Sequence, residues 1–204
     1  SGQATSKFDR TEHSTEPLPH RTLAMTTHPT VETFCLHVEL LDSDPPIWRQ
    51  VCLQSDASLE ALHRVLSAAM GWSGESNYVI KGQGQSLKSG EERTLATLLS
   101  EPGDSLIYTY APAQGWLHKV TLESVTLESI DAAQASLPHC TAGEYQCPPE
   151  FCQGVWDYVD LLDRLSESDD PEEVDSLWQK VGYDFDPEYF DLATANRRLQ
   201  DLPS

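Results

Sequence analysis

The feature that most constrains the fold is an alternation of side-chain character over two early segments. In residues 34–40 and 47–54, mostly apolar side chains recur at every second position. This is the period of a strand that buries one face. Turn residues from Asp42 to Pro46 separate the two segments. The pattern predicts two neighbouring antiparallel strands joined by a short connection.

A later strand pattern, over residues 116–127, changes its apolar phase midway. The apolar positions occupy one face up to Leu122 and the other face from Val125 onward. Because successive side chains of a strand point to opposite faces, such a change requires an extra residue. We therefore expect a β-bulge near Ser124.

Helical patterns follow the first strands and fill the end of the chain. Apolar residues recur at helical spacing between Ser58, a favourable N-cap, and Gly71, a favourable C-cap. Trp156 opens a later amphipathic series and is interpreted as a core anchor. Strands early and helices late predict the α+β class: a mostly antiparallel sheet with helices packed on one side, an α-β roll with a helical C-terminal part.

The chain divides into a polar beginning and one domain. Residues 1–30 are rich in Ser, Thr, His, Pro and charge, and are interpreted as a disordered leader or an expression remnant. Residues 31–204 are predicted to form a single α+β domain. No apolar stretch reaches the length of a bilayer span and no signal peptide is evident, so we expect a cytoplasmic location and no membrane partner.

Charge limits the class of partner. The 204 residues carry a formal net charge of -20, and from Glu144 to Asp191 fifteen acidic residues stand against two basic ones, Arg164 and Lys180. Nucleic-acid binding depends on Lys and Arg displacing counterions from phosphates, so direct contact with nucleic acid is disfavoured. The acidic stretch is either a solvated face or a surface for a basic protein partner.

A cysteine cluster is the candidate metal site. Cys140, Cys147 and Cys152 lie within thirteen residues, with two prolines that stiffen the loop. Thiolates and an imidazole in a closed tetrahedral set are typical ligands of structural Zn²⁺, and His118 is the predicted fourth ligand. His139 is a rival, although it adjoins Cys140 and neighbouring residues of an extended chain point apart. The alternative is that these residues are simply buried.

The chain contains five cysteines. Without a secretion signal the thiols are expected to stay reduced, so a disulfide is disfavoured relative to metal binding or burial. Cys35 shares a strand face with His37 and Glu39. A partly exposed face explains these three residues without a function.

Several motifs together resemble a known family. The motifs are Pro-Pro-Ile-Trp-Arg at 45–49, a Leu-His helix ending in Met-Gly-Trp at 59–72, Trp-Leu-His at 116–118, a Cys-Pro-Pro-Glu loop at 140–152 and Asp-Pro-Glu at 186–188. From about Phe34 to Leu199 the chain resembles the plasmid pRiA4b ORF-3-like family, which is also described as an insertion-element passenger-type domain. The resemblance implies an α+β roll and supplies no established activity.

This chain departs from the family at three places. In the Pro-Pro-Glu loop, Phe151 stands where the family has Asp, and Gln153 stands where it has Gly. Ala111–Gly115 stands where members often carry an acidic Asp-Phe-Gly-Asp stretch, and Ser76–Val79 stands where they often carry histidines. If those positions form an active site in the family, much of it is lost here. The departures favour binding over catalysis.

The sequence thus predicts a non-catalytic intracellular binding or adaptor domain with a structural zinc site. Its expected partner is a protein, basic if the acidic face is used, and a link to mobile genetic elements is implied by the resemblance. Two alternatives stay open. One is an enzyme or mobile-element accessory factor with a site near His63, Trp116 and His118. The other is an acidic mimic of nucleic acid that occupies a DNA-binding protein.

Overall fold

An antiparallel sheet organises the domain. The computed structural model describes Gly2 and residues 27–203, which form seven strands and five α-helices. The strands are β1 (Thr30–Leu40), β2 (Trp48–Gln54), β3 (Tyr78–Gly82), β4 (Gln85–Lys88), β5 (Ser105–Tyr110), β6 (Trp116–Ser129) and β7 (His139–Glu144). The helices are α1 (Leu59–Met70), α2 (Ile130–Ser136), α3 (Val155–Glu167), α4 (Pro171–Val181) and α5 (Leu192–Gln200), with a short 3-10 helix at Leu95–Thr97. The order β4-β3-β5-β6-β1-β2-β7, with every neighbouring pair antiparallel, confirms the α+β class.

The predicted leader falls mostly outside the described residues. Residues 3–26 are not among them, and β1 already begins at Thr30, the last residue assigned to the leader. No helix within residues 27–203 is both long enough and apolar enough to cross a membrane.

The predicted pairing of the first two strands is confirmed. Phe34 lies opposite Leu53 and Leu36 lies opposite Val51 in the antiparallel register. These side chains are almost completely buried, and the apolar residues of α1 and α5 join the same core. The alternation therefore marks the face of the sheet on which the helices pack.

Cys35 of β1 and Cys52 of β2 form a disulfide bond. This corrects the expectation that all five cysteines are reduced thiols. The two residues are directly opposite in the strand register, so their side chains meet on the same face of the sheet. The redox state of a cell compartment says nothing about strand register, and it is the register that brings these two thiols together. Cys140, Cys147 and Cys152 are free thiols.

The predicted bulge in β6 is confirmed one residue before its expected position. The register shifts between Cys35 and Leu36 of β1, which leaves Glu123 as the extra residue of β6. Its carboxylate accepts a hydrogen bond from the Gln50 amide and lies 3.8 Å from Nδ1 of His37. The bulge therefore directs this acidic side chain toward β1 and β2.

Both predicted caps of α1 are present. The Ser58 hydroxyl accepts a hydrogen bond from the backbone N–H of Ala61 at 3.0 Å. Gly71 has a φ of 120°, and its N–H donates to the carbonyl oxygen of Ser67. A positive φ of this kind favours glycine, which explains why the helix ends there.

Two arginines from other elements bind the C-terminal end of α1, whose own last turn contains no basic residue. Arg49 of β2 donates to the carbonyl oxygens of Ala69 at 3.0 Å and Met70 at 3.3 Å. Arg198 of α5 donates to the carbonyl oxygen of Ala68 at 3.1 Å. Because these terminal carbonyls carry partial negative charge, the arginines attach α1 to both β2 and α5.

The predicted cysteine loop, residues 140–152, in fact begins within β7. This strand pairs with β2 and forms one edge of the sheet. On its outer side, the Asn196 side chain accepts from the N–H of Cys140 at 2.8 Å and donates to the carbonyl oxygen of Cys140 at 2.9 Å. Strand pairing and α5 therefore fix the first predicted zinc ligand in place.

Candidate functional site

The three cysteines of the predicted zinc site lie in different places and are all buried. Cys140 is in β7, Cys147 lies in the loop after it, and Cys152 lies just before α3. Burial raises the pKa of all three thiols, to about 11 for Cys152. In the absence of a metal they are therefore protonated near neutral pH, and a protonated thiol is a poor nucleophile.

Both ring nitrogens of His118 are engaged inside the protein. Its Nδ1 donates to the carbonyl oxygen of Tyr108 at 3.1 Å, and its Nε2 accepts from the indole N–H of Trp72 at 3.2 Å. The indole can only donate, which assigns the imidazole tautomer. Complete burial lowers the pKa of His118 to about 4, so the ring is neutral. No nitrogen lone pair remains for a metal.

The rival ligand does not complete a metal site either. Nδ1 of His139 lies 3.1 Å from the carbonyl oxygen of Ser136. Across residues 27–203, no group of three or more His, Cys, Asp or Glu side chains is placed to hold a metal ion. The residues therefore do not fit the tetrahedral zinc set that the sequence predicted, and no metal chemistry is assigned to them.

The residues of the alternative enzyme site do come together, but within the core. The Tyr108 ring lies 6.0 Å from the ring of His63 and 5.3 Å from that of His118. His63 donates from Nε2 to the Gly74 carbonyl oxygen at 3.0 Å and accepts from the Tyr108 hydroxyl at 2.8 Å. His63, Trp116 and His118 are each at most 3% exposed. The cluster packs and orients the core, and burial also lowers the pKa of His63.

Glu150 attaches the cysteine loop to the rest of the domain. Its carboxylate accepts from the hydroxyl of Ser73 at 2.9 Å and from the N–H of the same residue at 3.2 Å. It also accepts from the hydroxyl of Tyr110, a fully buried residue of β5. A carboxylate with three charge-assisted hydrogen bonds thus connects the loop to β5 and to the segment after α1.

Arg49 lies at a cleft of about 470 Å³ between the cysteine loop and the segment before α5. The Phe190 ring covers its guanidinium at 3.8 Å. Gly143 permits this contact, because a Cβ there would lie 2.7 Å from Cε1 of Phe190 and 2.9 Å from Cδ of Arg49. Burial lowers the pKa of Arg49 to about 10, so it stays charged, and backbone carbonyls satisfy it. It supports the fold beneath the cleft.

α3 carries two apolar stripes, of which only one faces the core. Val155, Tyr158 and Leu161 are buried. Trp156 is 75% exposed and Val159 is 38% exposed. The interpretation of Trp156 as a core anchor is therefore wrong. Helical period alone does not tell which of two apolar stripes on a helix is the buried one.

An apolar groove lies beside Val159, between α3 and the connection from β1 to β2. Its volume is about 170 Å³. The apolar and aromatic residues of its lining include Pro45, Ile47, Tyr145, Tyr158, Val159 and Leu162. We call this feature the α3 groove, and we call the groove together with Trp156 the α3 surface. Trp156 and Val159 are three residues apart, so they are neighbours on the helix.

Exposed apolar side chains concentrate in the helical part of the chain. In the described residues, eight large apolar side chains are exposed, and six of them lie between positions 151 and 192. The six are Phe151, Trp156, Val159, Tyr183, Tyr189 and Leu192. No sequence pattern distinguishes this surface, because helical periodicity does not show which apolar residues of a helix stay exposed.

The comparisons with known proteins agree with the fold. Residues 32–194 match the family described as "Plasmid pRiA4b ORF-3-like protein". The chain belongs to this family. The "Uncharacterized protein y4hQ" of Sinorhizobium fredii is 27% identical over 179 residues, which is 82% of this chain and 90% of that relative. The crystal structure of a protein of unknown function, MM3350 from Methanosarcina mazei Go1, has a TM-score of 0.69 at 26% identity and covers 80% of this chain and 97% of that one. Family membership, inferred above from motifs, is therefore confirmed.

Proposed function

We propose that this member of the family is a non-catalytic adaptor domain that binds a protein partner through the α3 surface. The observation that carries the proposal is the 75% exposure of Trp156 directly beside the α3 groove. Tryptophan in the middle of an interface is among the side chains that contribute most to binding. An apolar groove continuous with exposed aromatic surface is typical of an interaction site.

The residues that could perform chemistry support binding over catalysis. His63 and His118 use both ring nitrogens in internal hydrogen bonds. The thiols of Cys140, Cys147 and Cys152 are buried and protonated. A general base or nucleophile needs access to a substrate, and these side chains belong to the packed interior. The plasmid reading frame in the family's name fits a partner encoded on a mobile element.

Two matched variants test the proposal. Trp156→Ser removes the exposed indole of α3, and Leu127→Ser removes an apolar side chain of β6 that is 73% exposed. Tagged wild-type and variant proteins are expressed in the native host, and the captured proteins are quantified by mass spectrometry. We expect a partner that wild type and Leu127→Ser retain and that Trp156→Ser loses by at least about tenfold, which is a change of about 1.4 kcal/mol.

Thermal unfolding of both variants is the control for folding. If both keep the Tm of wild type, a loss of captured partner does not come from unfolding. Equal recovery of every captured protein by Trp156→Ser and wild type would reject the α3 surface as the binding site. A turnover that disappears in His63→Gln, with the fold intact, would support an enzyme instead.

A further inference from the structure

The α3 groove combines an apolar floor with acidic positions. Buried Ile47 and Tyr158 supply apolar surface, and half-exposed Leu162 continues it. Asp44 and Glu188 are both exposed and both belong to the lining. Within residues 27–203, the lining includes no Lys, Arg or His. A side chain that enters the groove therefore meets apolar surface with carboxylates near it and no competing cation.

The acidic character extends over the helices around the groove. Residues 157–191 contain thirteen Asp or Glu and two basic residues, Arg164 and Lys180. Both basic side chains are already engaged. Arg164 pairs with the carboxylates of Asp160 and Glu173, and Nζ of Lys180 lies 4.2 Å from the centre of the Phe151 ring. Within this stretch the acidic residues therefore outnumber the basic ones by eleven.

From this combination we infer that the partner presents a basic segment in which an apolar side chain is flanked by lysine or arginine. The apolar side chain fills the α3 groove beside Val159, and the flanking cations approach Asp44 and Glu188. The inference rests on the proposed function and adds the chemistry of the partner. Complementary charge raises the rate of association and rejects acidic competitors, while the apolar anchor supplies contact area in a desolvated pocket.

Three synthetic peptides separate the two parts of this recognition. The first, labelled Ala-Lys-Lys-Leu-Lys-Lys-Ala, carries the apolar anchor and the cations. The second replaces Leu by Ser and keeps the charge, and the third replaces every Lys by Glu and keeps the anchor. Fluorescence anisotropy measures the affinity of each for the full chain. We expect the first to bind at least about tenfold more tightly than either of the others, and its binding to weaken as salt is added.

Matched variants assign the binding to the groove. The double variant Asp44→Asn/Glu188→Gln removes two carboxylates from the lining, and Glu92→Gln/Glu101→Gln removes two exposed carboxylates elsewhere. Since both doubles change the net charge equally, a general effect of charge appears in both. We expect the groove double to weaken binding of the first peptide by at least about fivefold, and the control double to change it by less than about twofold.

The outcomes separate this inference from the proposed function. Equal binding of the Leu and Ser peptides, equal effects of the two doubles, or no binding of the first peptide would overturn the basic, apolar-anchored partner. If Trp156→Ser still loses its captured partner in that case, the α3 surface remains a protein-binding site with other chemistry. If Trp156→Ser loses nothing, the adaptor proposal fails independently of the peptides.

Discussion

Breaking the disulfide between Cys35 and Cys52 should destabilise the domain without abolishing its fold. The two residues are 17 positions apart in the sequence. Loss of a cross-link that closes a loop of this length costs about 3 kcal/mol in the chain-entropy treatment. In a domain of this size about 1 kcal/mol corresponds to roughly 2–4 °C, so Tm should fall by roughly 6–12 °C. The pairing of β1 with β6 and of β2 with β7 should keep both strands in the sheet.

Thiol titration and thermal unfolding together measure this effect. In denaturant without reductant, three thiols should react, and after reduction all five cysteines of the chain should react. Circular dichroism then gives Tm with and without reductant. The variant Cys35→Ser/Cys52→Ala is the matched control, because reductant has no disulfide to break in it.

Five thiols that react in denaturant before any reduction, in protein purified without reductant, would refute the reasoning. If reductant lowers the Tm of the double variant as much as it lowers the Tm of wild type, the effect does not come from the disulfide. Titration of protein taken directly from cells also bears on the expected cytoplasmic location, since stable disulfides are rare in that compartment.

Four further perturbations test the architecture around the cysteine loop. Gly143→Ala should lower the free energy of unfolding in urea by more than about 2 kcal/mol, because its Cβ would lie 2.7 Å from Phe190 and 2.8 Å from the carbonyl oxygen of Trp48. An unchanged urea midpoint would contradict this. Glu150→Ala should cost about 2–4 kcal/mol by removing charge-assisted hydrogen bonds, and Glu150→Gln should cost less in the same assay. Burial lowers the pKa of His118 from 6.5 to about 4, so between these pH values the unfolded chain binds more protons than the folded one. The free energy of unfolding should therefore fall by about 3 kcal/mol as pH drops from 6.5 to 4, and His118→Gln should make this pH dependence weaker. Elemental analysis of protein purified without added metal should find no stoichiometric zinc, and a chelator should leave Tm unchanged. About one zinc per chain would contradict the hydrogen-bonded role of His118.

The parts of the fold that could be predicted from sequence depend on local chemistry. Ser58 and Gly71 cap α1 because one side chain can accept a backbone hydrogen bond and the other residue tolerates a positive φ. The apolar side chains of β6 change from one face to the other before Val125. This change requires an extra residue whatever the neighbours of the strand are, and Glu123 is that residue. Such signals are contained within a few neighbouring residues, so they do not depend on knowing what packs against them.

The parts that could not be predicted depend on which surfaces meet. The distance between Cys35 and Cys52 follows from strand register, which no local pattern specifies. Trp156 and Val155 lie on different stripes of one helix, and only the position of α3 against the sheet decides which stripe is buried. No local pattern shows what surrounds His118 either, and in the structure its Nε2 accepts a hydrogen bond from the Trp72 indole.

The contact between Asn196 and Cys140 also limits how the protein assembles. By occupying the N–H and the carbonyl of Cys140, the Asn196 amide stands where the backbone of an additional strand would pair with β7. A sheet edge whose groups are used in this way is a poor template for strands from other molecules. Loss of α5 would expose the backbone N–H and carbonyl groups of the β7 edge. Aggregation by addition of strands from other molecules would then compete with native folding. α5 thus protects the β7 edge of the sheet from strand addition at Cys140.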